Sequence, residues 1–218
     1  MGLVRVVCGR LQCEATSLKR DRAGGRTRGA DNGDNDGMSM EHDTVIEDTR
    51  NWMVKAVIGL NLCPFAKGVH VKNQVRYRVS DASTPEGLLE DLIEELTFLR
   101  DSDPQEVDTT LLVHPGVLQD FLDFNDFLDV VDAAVEDLEL DGVLQVASFH
   151  PDYQFADADP DDVENYSNRA PYPTLHLIRE ESLDRAIEAP PEAEDRYETN
   201  KATLRKLGLE GWKKLWQV

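Results

Sequence analysis

No run of about eighteen apolar residues occurs anywhere in the 218-residue chain, so nothing in it reads as a membrane span. Cysteine is scarce as well. Cys8, Cys13 and Cys63 form an odd, sparse set, which argues against a disulfide framework. Cys8 and Cys13 have no second metal-binding pair near them, so they do not read as a zinc site. Lysine is short too. The chain has 8 Lys and 15 Arg against 25 Asp and 18 Glu, a formal net charge of −20. That excess favours solubility and works against a broad nucleic-acid interface. It is also the surface expected of a protein from a salty cytosol. The patterns G-x-x-x-x-G-K-[ST], G-x-G-x-x-G and G-x-S-x-G are missing, which removes the usual support for nucleotide-binding folds and serine hydrolases. No cofactor is expected. The opening MGLVRVVCGR has only a short apolar run broken by Arg5 and Arg10, unlike a signal peptide, and points to the cytoplasm.

What is present divides at about residue 40. Residues 1–40 are rich in Gly, Arg, Asn and Asp without an apolar period, and read as a disordered tail or as an extension ahead of a start at Met38 or Met40. Residues 41–218 read as one α/β domain. Asp43 or Thr44 suits the cap of a helix carrying Ile46, Met53, Val57 and Leu60, with Gly59 near its end. QVRYRVS alternates as a strand with one polar face. Thr84 and Pro85 open a helix striped with Leu89, Leu92, Leu96 and Leu99. DTTLLVHP is a short strand. Val117, Phe121, Phe124, Leu128, Val131 and Val135 step by four and three along the clearest helix. GVLQVASFHP and PTLHLIRE are strands separated by a loop of roughly twenty residues, and closing helices flank Gly208. Strands alternating with helices favour a largely parallel sheet of about four strands, flanked by helices. The fourth strand follows the third without a helix, so it is expected to be antiparallel, at an edge or paired with the third.

Ligands of open α/β sheets bind beyond the carboxyl ends of the strands. The second strand ends at His114-Pro115 and the third at His150-Pro151, so parallel strands would bring both imidazoles to one rim. The plainer alternative is that proline ends each strand and the histidine bonds a loop carbonyl. Between Thr49 and Ser80 there is no carboxylate, yet Arg50, Lys55, Lys67, Lys72, Arg76 and Arg78 fall there. That is either a basic face paired with acids elsewhere or part of an anion pocket, with Arg76 and Arg78 on one side of a strand and Arg169 completing it. Cys63 sits inside this window. Nearby cations favour its thiolate, although a small buried cysteine after a helix is the commoner case. Asn165 and Asn168 either orient a substrate or cap their own loop. His176, mid-strand among apolar residues, reads as a core histidine. Metal ligation by His114, His150 and Asp152 matches no recognised spacing, and no metal is expected.

The segments VIGLNLCPFAK, LLVHP, DFNDFLD, GVLQVASFHPDYQFA, ENYSNRAPYPTLHLIRE and LGLEGWKKLW together resemble bacterial domain-of-unknown-function family 1415 over roughly residues 44–216. The resemblance implies a soluble bacterial protein and carries over no catalytic residue. Three functional readings follow. The leading one is a small hydrolase or transferase acting on an anionic metabolite. His114 or His150 would serve as general acid or base, Cys63 as nucleophile, Arg76, Arg78 and Arg169 as anion holders, and Asn165 and Asn168 as orienting groups. Its rival is a non-catalytic module binding a small anion or a protein partner. In the third, the acidic helix, Trp212 and Trp216 mediate assembly. Neither nucleic acid nor membrane is an expected partner.

Overall fold

The computed structural model describes residues 35–156, 158–187 and 196–215. Among them are four strands, β1 (Val75–Val79), β2 (Thr109–Val113), β3 (Leu144–Phe149) and β4 (Thr174–Arg179). Six α-helices surround them: α1 (Asn35–Trp52), α2 (Ala66–Val71), α3 (Pro85–Asp101), α4 (Phe121–Asp137), α5 (Glu180–Ile187) and α6 (Arg196–Lys214). The chain is therefore α/β, with strand order β1-β2-β4-β3. β1 and β2 pair in parallel, whereas β4 is antiparallel to both β2 and β3.

This corrects the expectation of a largely parallel sheet. The fourth strand is antiparallel and pairs with the third, but it lies inside the sheet rather than at an edge. The cause is its sequence: Leu175 and Leu177 pack on one face while Ile178 packs on the other, and all three are fully buried. A strand apolar on both faces is stable only with both faces covered. β1 carries Arg76 and Arg78 on one face and takes an edge. β1, β2 and β3 still point the same way, so their carboxyl ends and the amino end of β4 share one rim. There Val113, Thr174 and Phe149 lie in register.

Two apolar layers hold the sheet. On one face, Leu88, Leu92, Leu96 and Leu99 of α3 and Phe124, Val131 and Val135 of α4 meet Leu112, Leu144, Leu175 and Leu177. On the other, Trp52, Met53, Phe65 and Leu204 meet Leu111, Phe149 and Ile178. Capping fixes where the α3 and α4 helices begin. Thr84 Oγ1 accepts from the Gly87 amide, with Pro85 in the first turn as expected. α4 starts at Phe121 rather than near Val117, because Leu118 takes a left-handed φ of 55° and the Asp120 carboxylate accepts from Leu122 and Asp123. α1 begins at Asn35, so Asp43 and Thr44 lie within the helix instead of capping it, and the expected tail is helical over 35–40. Its remainder, residues 1–34, lies outside the described residues, as does Trp216.

α1 runs into a π-helical turn, Met53–Ile58, where the Gly59 amide reaches back to the Val54 carbonyl at 3.0 Å. A Cβ at Gly59 would press against the Lys55 carbonyl, so the wide turn needs glycine there. α6 bends at Gly208, whose φ of 65° suits glycine.

Candidate functional site

His114 and His150 do come to one rim and pack against the same ring: Phe124 lies 5.5 Å from His114 and 5.2 Å from His150, between centroids. Both side chains are closed off, at 0% and 1% exposure. His114 Nδ1 donates to the Val117 carbonyl at 3.1 Å, and its Nε2 is buried with no hydrogen-bond partner among the described residues. Burial pushes its pKa from 6.5 to about 4, and the neighbouring His150 adds to the fall. His150 Nδ1 accepts from the Asp152 amide at 3.0 Å, which leaves Nε2 as the donor to the Leu118 carbonyl at 3.3 Å. Burial lowers its pKa as well. Both imidazoles are neutral at pH 7 and shape loops.

The long loop is held by its own polar groups. Asn165 is fully buried. Its oxygen accepts from the Phe155 amide at 3.0 Å, and its nitrogen donates to the Asp159 carbonyl at 2.8 Å. Asn168 accepts from Ser167 Oγ at 3.1 Å. Buried Glu164, in the 3₁₀ turn Val163–Ser167, pairs with Lys201 at 2.9 Å and with Arg205, fastening the loop to α6.

The cationic window does not gather into one pocket. Arg76 and Arg78 point towards α3, where both meet buried Glu95. Arg76 does so through two bonds of 2.8 and 2.9 Å, and Arg78 at 3.7 Å. Arg76 also lies over the Phe98 ring at 4.2 Å. Arg169 is elsewhere, stacked on Tyr166 at 4.5 Å and donating to the carbonyls of Tyr153 and Pro160.

Arg169 instead lines a cleft of about 540 Å³ on the rim, between α1, the long loop and α6. Asp48, Asn51 and Trp52 line it from one face of α1, at i, i+3 and i+4, and Lys55 lines it from the π-helical turn that follows. Tyr166 and Trp212, 5.1 Å apart between centroids, form another wall. Trp52 is fixed by its indole nitrogen donating to the Arg169 carbonyl at 2.9 Å. Asp48 accepts from Tyr172 at 2.8 Å. Lys55 is half-buried and forms no ion pair among the described residues. Sequence reasoning placed Lys55 in the acid-poor window without singling it out; its i+7 relation to Asp48 and its place three residues after Trp52 were the available signals.

Cys63 lies on the sheet face opposite His114 and packs with the layer around Trp52. There it lines a second, mostly apolar cavity of about 30 Å³, together with Met53, Val57, Thr109, Phe149 and His176. Thr109 has a single hydroxyl proton and gives it to the Leu177 carbonyl at 2.6 Å. Its 2.7 Å contact with His176 Nε2 therefore requires hydrogen on that nitrogen and leaves Nδ1 bare. Burial pushes His176 to about 4.

Among the described residues no group of three or more His, Cys, Asp and Glu is placed to hold a metal ion. No described helix is long and apolar enough to cross a membrane. The molecule is thus an α/β protein built on a mixed four-stranded sheet, with a cleft at the shared rim. It belongs to the family described as protein of unknown function, DUF1415, whose model matches residues 44–214. No curated protein and no solved structure matched the chain.

Proposed function

We propose that this protein binds a small carboxylate- or phosphate-bearing metabolite in the rim cleft, with Lys55 and Arg169 as the anion-holding groups. The observation that carries this reading is Lys55: a half-buried ammonium in a cleft of about 540 Å³, unpaired among the described residues of a chain with net charge −20. With acids so abundant, a lysine left without one is best explained by a ligand that supplies the charge. Arg169 adds a guanidinium with donors beyond the two it spends on the loop. Trp52, Tyr166 and Trp212 favour a ligand with a flat apolar body. A reaction on that anion through His114 or His150 would need an imidazole open to the cleft, and neither lines it. Binding therefore stands ahead of catalysis at this site.

Titration calorimetry of the full chain with benzoate and with inorganic phosphate tests the reading. One site per chain is expected, with benzoate the tighter ligand. Lys55→Gln should weaken it about tenfold to a hundredfold, the worth of one charge-assisted hydrogen bond. Absence of binding by either anion, or equal binding by Lys55→Gln, would overturn it.

A further inference from the structure

The second cavity brings together a thiol, an imidazole and a hydroxyl that the rim cleft does not use. Cys63 is a partly buried thiol, and His176 is the one imidazole lining its cavity. The bonding of Thr109 settles which ring nitrogen is basic. Nε2 is spent as a donor to Thr109 Oγ1, and Thr109 is itself fixed to the backbone at Leu177. Nδ1 is left bare, with no hydrogen-bond partner among the described residues. Lining one cavity, the three offer a nucleophile, a base and a group that orients the base; Cys63 and Nδ1 are not hydrogen-bonded to each other in this structure, so the thiol has to turn towards the ring for proton transfer. The π-helical turn Met53–Ile58 forms one wall, and such turns recur at functional sites.

We propose that Cys63 is a nucleophile for short acyl groups, with His176 as its proton acceptor and Thr109 as the positioning residue. The co-reactant is a short-chain acyl ester or thioester. The Cys63 sulfur bonds to the carbonyl carbon while its proton passes to His176 Nδ1. The bond from that carbon to the leaving oxygen or sulfur then breaks, and the leaving group takes the proton back from His176. The product is an S-acyl cysteine and the free alcohol or thiol; water can then release the acid. The cavity is small, about 30 Å³, and mostly apolar, which favours an acetyl-sized group over a long chain. The site is separate from the anion cleft, so either proposal can fail alone.

The test is acetylation of the full chain by 4-nitrophenyl acetate, followed by peptide mapping to separate Cys63 from Cys8 and Cys13. One acetyl group on Cys63 per chain is expected, with none at that position in Cys63→Ala. His176→Gln keeps a donor for Thr109 and should slow the reaction about a hundredfold, the usual contribution of a general base. A second measurement needs no variant. Attack by a thiol assisted by a neutral imidazole gives a rate nearly flat from pH 8 to pH 5, because His176 stays unprotonated until about 4. An unassisted thiol instead slows about tenfold for each pH unit below its ordinary value. The proposal is overturned by that tenfold slope in the wild type, by an unchanged rate in a folded His176→Gln, or by acetylation that spares Cys63.

Discussion

Acid should unfold this protein through its imidazoles before it titrates most of its carboxylates. His114 and His176 are each held neutral, with pKa lowered from 6.5 to about 4. Each fall corresponds to a preference of about 3 kcal/mol for the neutral ring in the folded state. The unfolded chain takes up protons at 6.5 and the folded chain does not. Stability is therefore full above pH 6.5, is lost as pH falls through the window to about 4, and then levels off. At pH 5 an unfolded imidazole is about 97% protonated and these two about 9%, so unfolding takes up about 0.9 proton per ring. The slope is then about 1.2 kcal/mol per pH unit for each ring, or about 2.4 for both. By pH 4 the two together remove about 6 kcal/mol, against a total stability of about 5–15 kcal/mol for ordinary domains. His150, also lowered by burial, acts in the same direction.

Urea unfolding at pH 7.5, 6.5, 5.5 and 4.5 reads this slope, and proton NMR of the ring hydrogens reads each site. His114→Asn can still donate to the Val117 carbonyl but cannot titrate. It should remove about half of the slope while changing little at pH 7.5 beyond a packing cost. Stability that stays level from pH 7.5 to pH 4.5 would refute the reasoning. So would ring resonances of His114 and His176 that titrate near 6.5 in the folded protein.

Three further outcomes follow from single contacts. Asp120→Ala removes the acceptor of the Leu122 and Asp123 amides at 2.9 and 3.2 Å, and should lower neutral-pH stability by about 1 kcal/mol in urea. Asn165→Ala unties the long loop by stranding the Phe155 amide, at about 1–3 kcal/mol, and should speed limited proteolysis between residues 155 and 165. Leu96→Ala opens a void between α3 and the sheet and should cost about 2–5 kcal/mol, seen as a lower urea midpoint with unchanged slope.

The elements of this fold were legible where one local cause dominates. Thr84 with Pro85 and the bend at Gly208 each rest on a signal inside a few residues, as does the leucine stripe of α3, except that its buried first member is Leu88 and the expected Leu89 is only half-buried. The position of β4 was not read from the strand order, yet PTLHLIRE carried the clue: apolar residues at consecutive positions leave no face for water. The start of α4 was hidden because Val117 continues the helical period while belonging to a turn, with Leu118 in a left-handed conformation that its own side chain does not advertise. The rim itself was legible from strand direction, and His114 and His150 lie on it. Whether a rim histidine faces a cleft or the core depends on a packing partner, here Phe124, from another part of the chain. The neighbourhood of Cys63 and His176 was hidden for the same reason: over a hundred residues separate them, and only the packing of the segment from Trp52 to Val69 on the sheet joins them.

The acid-poor window shows how a charge pattern misleads when read along the chain alone. Arg76 and Arg78 have no carboxylate within their own segment, but Glu95 on α3 serves both, and its side chain is only 6% exposed. One carboxylate between two guanidiniums holds the edge strand β1 to α3. Replacing it by Glu95→Gln leaves two cations facing each other with a neutral amide between them. Loss of a fully buried pair costs about 3–5 kcal/mol. Arg76 is 34% exposed and Arg78 39%, so water takes up part of the charge, and about 1–3 kcal/mol is expected instead. The loss should be local. Amide hydrogen exchange should quicken along Val75–Val79 more than in β4, which has strands on both sides. Benzoate binding at the rim cleft should be unchanged, because neither arginine lines it. A fall in that affinity on Glu95→Gln would instead tie Arg76 and Arg78 to the anion site and return the cationic window to a single pocket.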